Sequence, residues 1–96
     1  DGPIDSVFQA INVAAGIDAQ LRAFHVDAVT GGQDALGESS VVLELGGQTA
    51  SGQGVATDII EAAGNAYVRA LSNVVRKSQA ALEAVDLAAR EPLATP

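Results

Sequence analysis

The chain has 96 residues, of which 48% are hydrophobic and 18% charged, enough apolar material for one small folded domain. Twelve acidic residues against five basic ones give a net charge of −7, which disfavours binding to nucleic acids or to anionic membrane surfaces. There is no cysteine, so disulfides, zinc–thiolate sites and thiol catalysis are excluded, and no apolar run approaches the roughly 20 residues of a membrane span.

The first predicted element is a helix over residues 3–15, because Pro3 suits the first helical position and Gly16 suits the end of a helix. Its apolar side chains recur at helical spacing on one face, at Ile4, Val7, Phe8, Ile11 and Ala14 or Ala15. The chain opens on Asp1 without a methionine, so we expect it to be a segment of a longer protein.

Three strands are predicted next, over residues 19–30, 35–45 and 48–55. Residues 31–34 read as a loop, and Gly46-Gly47 is typical of a two-residue hairpin turn. Alternation in the first strand predicts Phe24, Val26 and Ala28 against the helices. The opposite face would then carry Val29, Val42 and Leu21 or Leu36. Such an apolar face indicates an interface, and we expect a homodimer through it.

A second helix is predicted to begin at Asp58, a good N-cap residue with Glu61 three positions later. Whether residues 73–89 form one long helix or break near Ser78 stays open. The element order α-β-β-β-α indicates an α+β fold, with a small antiparallel three-stranded sheet flanked by two helices on one face.

The glycines before the second helix have two equally weighted interpretations. Gly52 and Gly54 either mark a bulge or tight packing beneath a helix, or form an edge where backbone groups meet a ligand. A dinucleotide or phosphate loop is disfavoured, because the third glycine and the lysine of such motifs are missing. Under the ligand interpretation, Gly54→Val would abolish binding and affect dimerisation less.

Few residues suggest catalysis. His25 and Asp27 lie on one strand face, but a single histidine without cysteine favours a polar pair over a metal site or catalytic pair. The positive ends of the two helices suit a carboxylate, and Asp34 either caps a turn or meets an ammonium group. We therefore predict an amino-acid effector site and no catalytic or metal-binding residue.

Three separated runs carry a family resemblance: GPIDSVF at residues 2–8, DAVTGGQDALGE at 27–38 and GQGVATDIIEAA at 52–63. Together they resemble the C-terminal regulatory domain of 2-isopropylmalate synthase, with a match running to about Val75. The resemblance implies residues 1–76 of a pseudo-repeated regulatory domain that lacks its first unit's strands, and a helical extension and tail over residues 77–96.

The resemblance also implies the activity of a parent enzyme. That family condenses acetyl-CoA with 2-oxoisovalerate, the committed step of leucine synthesis, in a separate barrel that holds the divalent metal. The regulatory domain dimerises and binds leucine as a feedback inhibitor. This segment would hold no cofactor, and a biosynthetic enzyme without cysteines or targeting signals fits the cytoplasm.

Carried over by position, the resemblance implies three groups of effector-binding residues. They are the first helix start (Gly2, Pro3, Ile4), the first strand and following loop (His25, Ala28, Asp34, Ala35) and the second helix start (Val55, Ala56, Thr57, Asp58). Two alternatives stay open: a dimerisation module that binds no ligand, and the isoleucine-sensing domain of a citramalate synthase.

Overall fold

Two helices lie on one face of a three-stranded antiparallel sheet of order β1-β2-β3. The computed structural model describes residues 2–30 and 35–90. The elements are α1 (Pro3–Ala15), β1 (Gln20–Thr30), β2 (Ala35–Leu45), β3 (Gln48–Ala56) and α2 (Ile59–Arg90). The α+β prediction is confirmed. The predicted hairpin turn is confirmed as well, since Gly46 and Gly47 both have positive φ, at 58° and 80°.

The helix α2 approaches β3 closely because β3 carries glycines beneath it. A Cβ atom on Gly52 would lie 2.5 Å from the carbonyl oxygen of Ala66, and one on Gly54 would lie 2.7 Å from the amide nitrogen of Ala66. The structure therefore supports the interpretation that these glycines allow tight packing beneath a helix. The substitution Gly54→Val would act first on the packing of α2.

The three aromatic residues of the chain form one cluster that joins α1 to the rest of the fold. The ring of Phe8 stacks on Tyr67, with centroids 4.4 Å apart, and meets Phe24 edge-on at 5.6 Å. The Tyr67 hydroxyl donates to Oδ1 of Asn12 over 2.7 Å, and Nδ2 of Asn12 donates to the carbonyl of Ala19 over 3.0 Å. These contacts fix α1 to α2 and to the start of β1.

The helices cover only part of the sheet face that they share. Phe24 is half-buried as predicted, but Val26 is 40% exposed and Ala28 is exposed. The prediction that all three lie against the helices is therefore wrong for the last two. The physical reason is the position of α2, which contacts β3 and β2 and leaves the second half of β1 uncovered.

The opposite face of the sheet is mostly polar. It carries nine polar side chains: Gln20, His25, Asp27, Glu38, Ser40, Glu44, Thr49, Ser51 and Gln53. Four apolar residues lie among them, namely Ala23, Leu36, Val42 and Val55, but Leu21 pairs with the buried Leu43 and so belongs to the helix side. The side chain of Val29 lies outside the described residues. The argument that this face is too apolar for water is therefore wrong, and a homodimer through it stays a prediction.

Three side chains of α2 cover the outer edge of β3. Each donates to a strand carbonyl: Arg69 to Gln53 over 2.8 Å, Asn73 to Ser51 over 2.8 Å and Lys77 to Thr49 over 2.6 Å. Four residues of helix rise about 6 Å and two residues of strand about 6.7 Å, so the spacing of the donors along α2 matches the spacing of the acceptors along β3. This match aligns α2 along β3.

The helix α2 continues without a break to Arg90, which answers the question left open at Ser78. It passes the β2–β3 hairpin at that residue, where a Cβ on Gly46 would lie 3.1 Å from the Ser78 hydroxyl. Within the described ranges, neither helix has the combination of length and apolar character that crossing a membrane requires.

Candidate functional site

A cavity of about 310 Å³ opens between the start of α1 and the helix side of β1. Seven residues line it: Gly2, Pro3, Ile4, Asp5, Phe8, Leu21 and Phe24. The structure therefore brings together the three predicted effector residues of the first helix start. Most of the remaining lining is apolar, which suits an aliphatic or aromatic group.

Among residues 2–30 and 35–90, the N-cap residue of α1 makes no side-chain hydrogen bond to the helix start. Gly2 occupies the N-cap position and offers no side-chain oxygen, and Pro3 follows it inside the helix. The backbone amide and hydroxyl of Ser6 both donate to the carbonyl of Gly2, over 3.0 and 3.1 Å. The first-turn amides thus receive no capping oxygen from the N-cap residue, and the positive end of the helix lies beside the apolar cavity.

The start of α2 differs because it carries its own cap. Oδ1 of Asp58 accepts a hydrogen bond from the amide of Ile60 over 2.9 Å, which confirms the predicted N-cap. The Ile59 side chain lies against Gly37, where an added Cβ would be 2.8 Å from Cδ1. Part of the anion-binding capacity of this helix end is therefore already used.

The second group of predicted residues is divided by the sheet. Ala28 pairs with Gly37, which pairs with Ala56, so these three small residues form a row on the helix side close to the α2 start. His25 lies on the opposite face, where its Nε2 is 3.1 Å from Oδ1 of Asp27. His25 and Ala28 therefore do not face one common pocket.

The remaining predicted residues lie in or near the turn into α2 or in undescribed parts of the chain. Val55 is 47% exposed on the polar face, and Thr57 and Asp58 are exposed at the turn. Asp34 and the side chain of Ala35 lie outside the described residues. The effector-binding role of the whole predicted set stays a prediction.

Sequence reasoning missed four residues that line the cavity, namely Asp5, Phe8, Leu21 and Phe24. Phe8 and Phe24 were assigned only to the core. Leu21 was misplaced because the register shifts between Leu21 and Ala23, and this bulge moves Leu21 to the face of Phe24. Strict alternation cannot reveal such a shift.

Tyr67 lies next to the cavity but serves packing. Burial raises the pKa of its phenol above the ordinary value of 10.0, the hydrogen bond with Asn12 opposes that effect, and the charge of Asp18 adds to it. The side chain therefore stays neutral near pH 7 and acts as a hydrogen-bond donor.

A larger depression, of about 440 Å³, lies at the β3 edge beside Asn73 and Lys77. Both side chains already donate to strand carbonyls there, and the lining is mostly polar. This depression reflects the covered edge of β3, so the cavity at the α1 start is the better candidate site.

Comparison with known proteins places the chain in a family. Residues 1–75 match the family described as the LeuA allosteric (dimerisation) domain. The chain is 50% identical over 76 residues to a 2-isopropylmalate synthase of Pyrococcus furiosus, covering 79% of the chain and 15% of that protein. It is 48% identical over 79 residues to the 2-isopropylmalate synthase of Caulobacter sp. strain K31, covering 82% of the chain and 15% of that relative.

A third relative shows the same proportions. The 2-isopropylmalate synthase of Carboxydothermus hydrogenoformans is 42% identical over 81 residues, which cover 83% of the chain and 16% of that protein. The chain therefore spans only 15–16% of the length of these three relatives. Since the family match covers most of the 96 residues, this chain belongs to the LeuA allosteric (dimerisation) domain family.

Proposed function

We propose that this chain is a regulatory segment of a 2-isopropylmalate synthase, which dimerises and binds L-leucine as a feedback inhibitor of leucine biosynthesis. The observation that carries the proposal is the family match over residues 1–75. The condensation of acetyl-CoA with 2-oxoisovalerate would belong to a catalytic barrel elsewhere in the parent protein. The role of this segment is to bind the effector and a second copy.

The cavity at the α1 start supports an aliphatic ligand. Ile4, Phe8, Leu21 and Phe24 give it apolar walls, and its volume of about 310 Å³ accommodates a branched side chain of leucine size. Leu21 is 42% exposed. Covering this exposed surface with the leucine side chain would contribute hydrophobic free energy to binding.

The polar ends of the amino acid also find complementary groups at this cavity. The uncapped start of α1 presents a partial positive charge to a carboxylate. Asp5 is the acidic residue in the lining, and its carboxylate gives the ammonium group a counter-charge. In this arrangement, the helix start at residues 2–4 lies beside the polar end of the amino acid, and the rings of Phe8 and Phe24 contact its side chain.

The second helix start would form the far wall of an extended site. The row of Ala28, Gly37 and Ala56 is made of small residues, so a ligand or a moving segment can approach the backbone there. His25 is not assigned to the site, because it lies on the other face of the sheet.

The direct test is isothermal titration of the 96-residue chain with leucine, isoleucine and valine. We expect leucine to bind most tightly. The variant Leu21→Ala should weaken binding about tenfold or more, since one small apolar contact contributes roughly 1–3 kcal/mol. The matched control is Leu87→Ala, because Leu87 is 62% exposed near the far end of α2.

The same titration separates the alternatives. Tighter binding of isoleucine would favour the citramalate synthase assignment. No heat with any of the three amino acids, together with a dimer in sedimentation velocity, would favour a dimerisation module that binds no ligand. Equal losses in Leu21→Ala and Leu87→Ala would contradict the assignment of the cavity.

A further inference from the structure

The last part of α2 extends beyond the sheet. We call residues 78–90 the tail; after Ser78 the helix continues for twelve residues, or about 18 Å, past the β2–β3 hairpin. Large apolar side chains are exposed there, with Leu82 at 67%, Val85 at 68% and Leu87 at 62%. The family match ends at residue 75, so the tail lies outside it.

The tail is amphipathic. Its polar side chains after Ser78 are Gln79, Glu83, Asp86 and Arg90. At 100° per residue they fall within an arc of about 60°. We call this arc the polar stripe; it contains an ion pair between Arg90 and Asp86 with a nitrogen–oxygen distance of 3.1 Å. The rest of the circumference carries alanine, valine and leucine, a surface typical of a helix that packs against another element.

The apolar side of the tail continues the buried side of α2. Steps of three and four residues connect Leu71, Val74, Ser78, Ala81, Val85 and Ala88. Leu71 and Val74 belong to the core, whereas Val85 faces solvent. This alternation is the spacing of a coiled-coil seam, and the small side chains allow two helices to approach closely.

We propose that the seam formed by Ala81, Val85 and Ala88 packs against the same seam in a second copy of this chain. The inference rests on the proposed dimer, which supplies the second copy. A two-fold interface must be self-complementary, and this seam meets that need because it contains no charge.

Charge argues against a lipid surface as the occupant. Helices that lie on membranes carry lysine and arginine on their polar face. The polar stripe instead holds two acids and one base, and the whole chain has a net charge of −7. A second helix with the same uncharged seam fits these observations better.

The test compares two variants of the 96-residue chain that add the same charge to the tail. Val85→Asp places a carboxylate in the seam, and Gln79→Asp places one in the polar stripe. Sedimentation equilibrium should show the dimer dissociation constant of Val85→Asp raised at least about tenfold, because a carboxylate would be buried without a partner. Gln79→Asp should stay within about twofold of the parent chain, since its carboxylate remains in water.

Cross-linking provides a second readout that does not depend on affinity. The chain has no cysteine, so Ala81→Cys and Gln79→Cys each introduce a single thiol. A short bismaleimide should link the dimer of Ala81→Cys and not that of Gln79→Cys. Circular dichroism checks that every variant keeps its helix content.

The outcomes separate this inference from the proposed function. A parent chain that sediments as a monomer would overturn the proposed dimer and the seam with it. A dimer unaffected by Val85→Asp, equally weakened by both aspartate variants or cross-linked equally through both cysteines would overturn the seam alone.

Discussion

The close approach of α2 to β3 predicts opposite effects for two identical substitutions, Gly52→Ala and Gly64→Ala. An added Cβ on Gly52 would lie 2.5 Å from the carbonyl oxygen of Ala66, and closer still to the amide nitrogen of Ala70. Both are backbone atoms, so rotation of a side chain cannot relieve the overlap. On Gly64, the added Cβ would lie 3.5 Å from Cγ1 of Val7, an ordinary contact.

The cost at Gly52 can be worked from these distances. Moving α2 from 2.5 Å to an ordinary separation of 3.4 Å requires a shift of about 0.9 Å. A gap of that size forfeits roughly a quarter to a half of each dispersion contact along the interface. Overpacking alone costs about 1–3 kcal/mol, so we expect a loss of about 3 kcal/mol or more. The stability of a small domain is only about 5–15 kcal/mol.

The gain at Gly64 has a different origin. Alanine is favoured over glycine within a helix, mainly because it restricts the unfolded chain, and the difference is about 0.5–1 kcal/mol. We therefore expect Gly64→Ala to raise the free energy of unfolding.

Urea denaturation followed by circular dichroism measures both changes. With a slope of about 1–3 kcal/mol per molar, Gly52→Ala should lower the midpoint by roughly 1–3 M. A Gly52→Ala variant within about 1 kcal/mol of the parent chain would refute the packing argument, which predicts a larger loss. A comparable loss of stability in Gly64→Ala would also refute the packing argument, because the effect of adding a Cβ would then not depend on what surrounds the glycine.

Further predictions concern a cap, a buried phenol and the covered strand edge. Asp58→Ala should lower the free energy of unfolding by about 1 kcal/mol through loss of the bond to Ile60, whereas Asp58→Asn should largely retain it, as urea denaturation would show. Absorbance titration of Tyr67 should give a midpoint above 10.0. As the pH rises past 10.0, the phenol loses its proton in the unfolded chain before it does so in the folded chain. The free energy of unfolding should therefore fall in this pH range. Asn73→Ala should cost about 1 kcal/mol in the same denaturation assay, because the carbonyl of Ser51 loses its donor.

Secondary structure was predictable because its signals are local. Proline and glycine punctuation set the bounds of α1, the paired glycines marked the hairpin, and Asp58 marked the start of α2. Each of these residues acts on its own backbone or on neighbours a few positions away. These local signals therefore predict the ends of helices and turns without knowledge of the tertiary structure.

Burial was less predictable because it depends on where α2 lies across the sheet. Phe24 and Val26 have equivalent positions in the alternation of β1, yet only Phe24 meets an aromatic ring of α1. In α2, Ile59 and Ile60 are neighbours of the same type, yet Ile60 is 37% exposed while Ile59 lies against Gly37.

The candidate site was predictable only in part for the same reason. The helix start at residues 2–4 is one continuous segment, so its members stay together. Leu21 joins them through a bulge that the residue pattern does not signal, and His25 separates from Ala28 because three steps along a strand reverse the face.

The covered edge of β3 limits how this sheet can grow. The carbonyl groups of Thr49, Ser51 and Gln53 already accept hydrogen bonds from α2, so an incoming strand would have to displace these donors. The other edge, formed by β1, has no α2 helix lying along it. Any additional strand, from the same polypeptide or from another, would therefore extend the sheet beside β1, and the sheet has one direction of growth.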